Sequence, residues 1–351
     1  MISLTKTRRS VSRALALILG CAPLAAFALD KVEFYSNWFP QAENGAFYQA
    51  KAAGIYERYG LDVTLNPGGP QVNGSMLVLG KRADFAILHS EGELLSALEK
   101  DLPLVAVAAM YQKDPQVVVS HKGVGNDSLE ALKGKPIMLS QDAMTSFWPW
   151  LKHKYGYDDA QIRPYTFQMA PFLVNKQAIQ QSFLTSEPFA IKQADVDPNV
   201  FLLSDHGWEP VSVPLVTRSD LVKSNPDLVR RFVQATLEGW YAYLQDPSAG
   251  NALIKQLVPE MLDGQIQYSL KEMKDHGIVV SGDALTLGIG AMTDARWKAF
   301  YDEMSAVGLY KQGMDYRRVF SLDFVNDKAF VQQMQAKYPQ AMKNGSPEAA
   351  Q

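Results

Sequence analysis

From Val32 onward the apolar positions switch between two periods. Val32 and Phe34 alternate with polar neighbours, Ala46, Phe47, Ala50 and Ala53 recur at helical spacing, and Leu61, Val63 and Leu65 alternate again. Gly54 is a natural helix stop and Gly60 turns the chain into the next strand. About thirty residues therefore make one right-handed strand-helix-strand crossover. The alternation continues with a helix over 71–79, marked by Val72, Met76 and Leu79, and a buried strand over 85–88. A helix carrying Leu94, Leu95 and Leu98 leads to another buried strand over 104–110.

The strand expected over 116–120, after Asp114-Pro115, reads as the crossing into a second lobe, 116–210. That lobe shows strands over 136–139, 163–167 and 200–203, with helices over 146–155 and 177–183. A strand over 211–217 crosses back. The strongest helical pattern follows over 226–244, with Val229, Phe232, Val233, Thr236, Trp240 and Tyr243 on one face and Asp246-Pro247 as its stop. Shorter helices over 252–258, 265–273 and 294–304 make the rest, 211–340, a mostly helical second part of the first lobe, 29–115. Residues 341–351 read as a disordered tail. The reading is α/β: two lobes, each a mixed sheet flanked by helices, with a cleft between them. A chain of 351 residues also exceeds what one core usually serves.

The N-terminus changes the picture of where the protein works. Lys6, Arg8, Arg9 and Arg13 precede an apolar stretch over 14–27, and Ala26-Phe27-Ala28 is an A-x-A cleavage signal, so residues 1–28 read as a signal peptide. Arg8-Arg9 weakly resembles a twin-arginine leader, and the general export route fits better. Lipid anchoring at Cys21 is the weaker alternative, because Leu19 before Gly20 and the apolar residues after Cys21 suit that signal poorly. Cleavage at Ala28 would remove the single cysteine, excluding disulfides, thiolate metal sites and a cysteine nucleophile. It would also remove four positive charges and take the formal charge from −3 to −7. Nucleic acid is therefore not an expected partner, and no later run is long enough to span a bilayer. A periplasmic monomer is expected.

Catalytic signatures are missing from the sequence. The five histidines have no metal-ligand spacing, and there is no GxSxG, P-loop or GxGxxG after a strand, so no catalytic residue, metal or cofactor is expected. The strand ends carry polar and aromatic residues instead. Trp38, Gln41, Asn44 and Tyr48 follow the first strand, Gly68, Gly69 and Gln71 the second, His89, Ser90 and Glu91 the third, and Tyr111 the fourth. In a parallel sheet such tips share one edge and line one crevice. The second lobe offers Thr145, Ser146, Phe147 and Trp148, and Glu187 after the helix over 177–183. Each has a blander alternative: Trp38 with Phe39 could be a core plug, the rings of 147–150 cannot all face one cleft, His89 could serve a backbone carbonyl, and Glu187 could cap a helix.

Several runs of residues resemble a known family. W-F-P-x(4)-G-A-F-Y-x-A-x(3)-G-I-Y-x(2)-Y-G-L-D-V, then P-G-G-P, K-R-A-D-F-A-I and T-S-E-P-F, are similar to the periplasmic binding proteins of ABC importers for thiamine pyrimidine precursors, with sulfonate, taurine and nitrate receptors as kin. D-H-G-W at Asp205, N-P-D-L-V-R-R-F at Asn225 and L-E-G-W extend the match. The resemblance implies a type II periplasmic-binding-protein fold, hinge closure on a ligand and delivery to an ABC permease in the inner membrane. It also implies that Trp38 stacks on a planar ligand, that Gly68 and Gly69 approach it with backbone N–H groups, and that Glu187 accepts from an amine or ring N–H. With no Lys/Arg cluster at the strand ends, a planar, nitrogen-bearing neutral or cationic compound is expected, an aminopyrimidine first. A flavin, an aromatic acid or a sulfonate is an alternative ligand. The alternative class is an enzyme acting on a pyrimidine-like heterocycle with His89 and Glu91 as acid and base.

Overall fold

The computed structural model describes residues 28–343, so the expected leader, Cys21 and the last residues of the tail lie outside the described residues. The strands, in chain order, are β1 (Asp30–Tyr35), β2 (Leu61–Asn66), β3 (Phe85–Ile87), β4 (Leu104–Ala109), β5 (Gln116–His121), β6 (Ile137–Leu139), β7 (Ile162–Pro164), β8 (Ile179–Phe183), β9 (Pro198–Leu202) and β10 (Pro214–Arg218). They form two five-stranded mixed sheets, β2-β1-β3-β10-β4 and β7-β6-β8-β5-β9. In the first, β1 runs parallel to β2 and β3 while β10 runs antiparallel to β3 and β4. β4, L-V-A-V-A-A, is buried along its whole length, as its continuous apolar run requires of a strand covered on both faces.

The helices that position the site or hold the first lobe together are α1 (Gly45–Ala52), α2 (Gly92–Glu99), α3 (Phe147–Tyr155), α4 (Glu187–Gln193), α5 (Pro226–Gln245), α6 (Asp263–Asp275) and α7 (Lys328–Lys337). α5 starts at Pro226 with the Asn225 side chain accepting from Leu228 N, and it buries Val229, Phe232, Val233, Thr236 and Trp240. Phe232 lies between Tyr56 at 5.6 Å and Phe85 at 4.2 Å, both stacked on it. The mostly helical C-terminal part thus packs on the first sheet. No helix among the described residues is long and apolar enough to cross a membrane.

One expected element is of the wrong type. Residues 177–183 do not form a helix; β8, the middle strand of the second sheet, occupies 179–183. The run reads as a helix because Gln favours helices and apolar alternation is lacking across Gln180, Gln181 and Ser182. Here they are buried: Gln180 Nε2 donates to Ser182 Oγ at 3.1 Å and Gln181 Oε1 accepts from Ser140 N at 2.7 Å, while Gln180 Oε1 has no partner among the described residues. The strand expected over 163–167 is shorter, ending at Pro164, and Phe167 sits outside it at φ 60°. Glu187 consequently follows a strand rather than a helix.

Glu238 on α5 ties the first lobe together. Its carboxylate, only 3% exposed, accepts from Arg58 Nη2 at 2.8 Å, Lys337 Nζ at 2.8 Å, and the Tyr59 and Tyr338 hydroxyls at 3.0 Å. Burial alone would raise its pKa, but these four donors outweigh it and hold the group below the usual glutamate range. Such a group stabilises the fold above its ordinary pKa and loses that contribution as pH falls through its folded-state value. Glu238→Gln should lower unfolding free energy by roughly 2 kcal/mol at pH 7. It should also flatten the loss of stability on the acid side. Urea denaturation at pH 7 and at pH 4 measures both effects, and equal midpoints for variant and parent would refute them.

Candidate functional site

The carboxyl ends of β1 to β4 face the loops after β6, β7 and β8, and a cavity of about 960 Å³ lies between them. Its mouth is aromatic. Half-buried Trp38 follows β1; its ring lies 5.1 Å from that of Phe167 in the opposite lobe and edge-on to Phe39 at 5.4 Å and His89 at 6.4 Å. Tyr165 extends this wall, 4.9 Å from Phe167. Phe167 takes a left-handed backbone conformation, uncommon for a bulky residue and typical of sites where surrounding structure holds local strain.

The loop carrying Trp38 is held from behind. Ser36 Oγ donates to Trp38 O at 2.6 Å, and Gly68 N donates to Trp38 O and to Ser36 Oγ, each at 3.0 Å. A β-carbon at Gly68 would overlap the Ser36 carbonyl oxygen, so only glycine lets the two loops approach this closely. The Gly68 N–H is therefore spent on Trp38 rather than offered to a ligand, contrary to what the resemblance implied. Gly69, the next residue, does line the cavity.

Deeper in, the cavity is lined by buried polar groups. Glu43 and Asn44 precede α1, Ser90 and Glu91 precede α2, and Tyr111 and Asp114 follow β4. The Tyr111 hydroxyl donates to the Glu43 carbonyl at 2.7 Å, and Asp114 accepts from Ser212 Oγ at 2.7 Å and Gln116 N at 2.9 Å. Glu187 opens α4; it accepts from Phe183 N at 2.8 Å and the Tyr165 hydroxyl at 3.0 Å while lining the cavity. By contrast, Glu43 Oε2, Asn44 Nδ2, Ser90 Oγ and both Glu91 carboxylate oxygens have no hydrogen-bond partner among the described residues.

Desolvation dominates the electrostatics. Burial pushes the Glu43 carboxyl up to about 8, against a lowering by its own backbone N–H, and Glu187 adds a like-charge push. Burial likewise raises Glu91, Asp114 and Glu187, each against weaker lowering contacts. Arg296, whose charge acts on Glu91 and Asp114, spends its donors elsewhere: Nη2 on the carbonyls of Gln112 at 2.5 Å and Pro210 at 2.6 Å, Nη1 on Gln112 Oε1 at 3.3 Å. Among the described residues no cation forms a salt bridge with Glu43, Glu91, Asp114 or Glu187.

Of the residues expected from the sequence, Trp38, Asn44, Gly69, Gln71, His89, Ser90, Glu91, Tyr111, Thr145, Ser146, Phe147 and Glu187 line the cavity. Gln41 and Tyr48 line a separate cavity of about 800 Å³ with Phe39 and Phe189. Trp148 is buried in the second lobe, its indole donating to Asp159 Oδ1 at 2.8 Å. Sequence reasoning missed Glu43, Asp114, Phe167 and Trp208 as lining residues. Glu43 sat in plain view beside Asn44, and Trp208 within D-H-G-W. Asp114 was read as a boundary marker and Phe167 as a strand position.

Comparison with known proteins agrees with this architecture. A riboflavin-binding protein, RibY, from Chloroflexus aurantiacus is 25% identical over 317 residues, covering 87% of this chain and 88% of that protein. A formylaminopyrimidine-binding protein from Halalkalibacterium halodurans is 22% identical over 268 residues, covering 71% and 79%. The alkanesulfonate-binding protein SsuA from Xanthomonas axonopodis pv. citri, bound to MOPS, superposes with a TM-score of 0.63 at 12% identity, covering 83% of this chain and 98% of that one. The fold is that of the periplasmic binding proteins. The model of the family described as NMT1/THI5 like matches residues 41–250, more than half of the chain, and the protein belongs to that family.

Proposed function

We propose that the protein is the solute-binding component of an ABC importer, exported as a monomer, and that it captures a planar nitrogen heterocycle, neutral or cationic, for delivery to a membrane permease. The acid-rich, cation-free lining of the cavity carries this reading. Glu43, Glu91, Glu93, Asp114, Asp142 and Glu187 line it with one histidine and no lysine or arginine. An anion would be desolvated there with no counter-charge, whereas N–H groups of a heterocycle would give the buried carboxyls donors. Flat rings also suit the mouth formed by Trp38, Tyr165 and Phe167. The relatives named for riboflavin and formylaminopyrimidine bind heterocycles of this kind. The alkanesulfonate of the structural neighbour is an anion that these walls disfavour.

Capture would occur by lobe closure. Trp38 meets Phe167 across the cleft, and the Tyr310 hydroxyl donates to Thr145 O at 3.4 Å. At Gly92, the first residue of α2, a β-carbon would overlap that same Thr145 oxygen. A ligand touching both walls favours the closed arrangement by the free energy of its additional contacts there. Among the described residues His89 and Glu91, the alternative acid-base pair, share no hydrogen bond through the Glu91 carboxyl.

Protein purified from its own periplasm should carry a heterocycle visible by native mass spectrometry, and neutral heterocycles should raise its thermal midpoint where sulfonates do not. Stabilisation by sulfonates alone would overturn the reading. Trp38→Ala should weaken binding of the stabilising heterocycle by roughly 1–3 kcal/mol, or tenfold or more, by calorimetry.

Gly92→Ala should wedge the lobes apart. We expect affinity to fall at least tenfold and the ligand-induced decrease in radius of gyration, measured by small-angle scattering, to disappear. Undiminished compaction in the variant would count against the contact.

The pH dependence of the unliganded protein has a definite sign. Glu43 keeps its proton up to about pH 8 when folded but releases it near 4.5 when unfolded, so its contribution is full below 4.5 and is lost as pH rises toward 8. Glu91, Asp114 and Glu187 act in the same direction. Glu43→Gln should make the decline between pH 4.5 and 8 shallower, by roughly 2–4 kcal/mol at the upper end. Parallel stability curves for the two proteins would show that burial does not hold Glu43 neutral.

A further inference from the structure

Two segments of chain join the lobes: residues 110–115 between β4 and β5, and residues 203–213 before β10. Each is fastened to the first lobe at one end and to the second at the other. On the side of the first lobe, Met110 N donates to Val213 O at 3.1 Å and Gln112 N to Ile278 O at 2.7 Å. Arg296, in the helix Asp294–Ala306, spans both segments there by donating to Gln112 O and Pro210 O. On the side of the second lobe, Leu184 N donates to Pro115 O at 2.9 Å and Ser204 Oγ to Asp114 O at 3.0 Å. In the first segment only Lys113 stands between the two sets of fastenings. Rotation of one lobe against the other must therefore bend the chain close to it, as hinges confine such motion to a few residues.

One side-chain hydrogen bond runs across that bend. Asp114 belongs to the end held by the second lobe, where its Oδ1 accepts from Gln116 N at 2.9 Å. Ser212 belongs to the end held by the first lobe, beside Val213. Asp114 Oδ2 nevertheless accepts from Ser212 Oγ at 2.7 Å, and both residues are buried. Val213 has φ 47°, a left-handed conformation that a β-branched residue keeps only where surrounding contacts hold it. The bond coexists with contact between the lobes, Trp38 against Phe167 and Tyr310 against Thr145. Asp114 lines the ligand cavity, whereas Ser212 is fully buried and stands outside the lining.

Resting on the lobe closure proposed above, we propose that the Asp114–Ser212 hydrogen bond is a latch of the closed lobes, made when the second lobe swings in and parted when it swings out. Ser212 is then a positioning residue for capture, acting through the hinge without touching the ligand. A hydrogen bond to a buried carboxyl shifts such an equilibrium by about fivefold to tenfold, and apparent affinity scales with the fraction of protein in the competent state.

The distance between the lobes tests this without any ligand. The chain from Leu29 onward contains no cysteine, and Met76 of the first lobe and Val174 of the second are 62% and 83% exposed, so spin labels can be attached at Met76→Cys and Val174→Cys. Double electron–electron resonance on the unliganded mature protein then reads the lobe separation as a distribution. Ser212→Ala should raise the ratio of longer to shorter distances at least threefold. Ser120→Ala removes a buried hydroxyl bonded to Asn126 O within the second lobe, and it should lower the thermal midpoint while leaving the distribution unchanged. An equal shift in Ser120→Ala would assign the effect to general loosening and overturn the latch. A distribution unchanged by Ser212→Ala, or moved toward shorter distances, while Gly92→Ala lengthens it, overturns the latch and leaves lobe closure standing. A distribution unchanged by both variants overturns closure itself.

Discussion

Burying carboxyl groups without cations is the constraint on which this protein's organisation turns. Glu43, Glu91, Asp114 and Glu187 come from both lobes and are brought out of water around one cavity. Arg296 gives its hydrogen bonds to carbonyls and a side-chain amide instead of neutralising them directly. The fold accepts this unfavourable burial because the rest of the first lobe is strongly held, by the packing of α5 on the sheet and by the paired Glu238. Two kinds of buried acid thus coexist. Glu238 has four donors and lies below the usual glutamate range, whereas Glu43 and Glu91 lack donors at one or both oxygens and lie above it.

The alternation of apolar periods made most strands and helices legible, because each sheet is covered by helices and its buried positions follow simple rules. β8 was not legible: its core positions are Gln and Ser, whose burial depends on partners such as Ser140 that are distant in sequence. The strand-end rule located most of the cavity wall without showing which way side chains point. Trp38 and Trp148 look alike in sequence, yet one meets the opposite lobe and the other reaches Asp159. Gln41 and Tyr48 lie near Trp38 in the chain and face a different cavity. Glu43 was overlooked because an acid near a helix start reads as a favourable dipole partner on the surface, and only tertiary packing buries it.

Contacts between the lobes are unequal in kind. Trp38 on Phe167 is a broad aromatic contact that a ring slipped between them could replace. The Gly92 contact with Thr145 O is backbone against backbone and leaves no room for adjustment. Gln265 Nε2 and Ser269 Oγ of α6 both donate to the Thr185 carbonyl, at 2.7 and 2.6 Å, in the loop between β8 and Glu187. The second lobe is therefore pinned near Thr185 by hydrogen bonds and stopped at Thr145 by steric contact.

The absence of lysine and arginine from the cavity wall also bears on what can pass into the cell. A heterocycle bearing a hydroxyl and its phosphate ester differ by about two negative charges near neutral pH. A phosphate ester entering this cavity would lose its water with no cation on the lining to pair with, which disfavours the esterified form even while the buried acids hold their protons. The receptor would then act as a filter for dephosphorylated nutrient. A phosphatase outside the membrane would enlarge its supply, and a kinase inside would trap what it delivers.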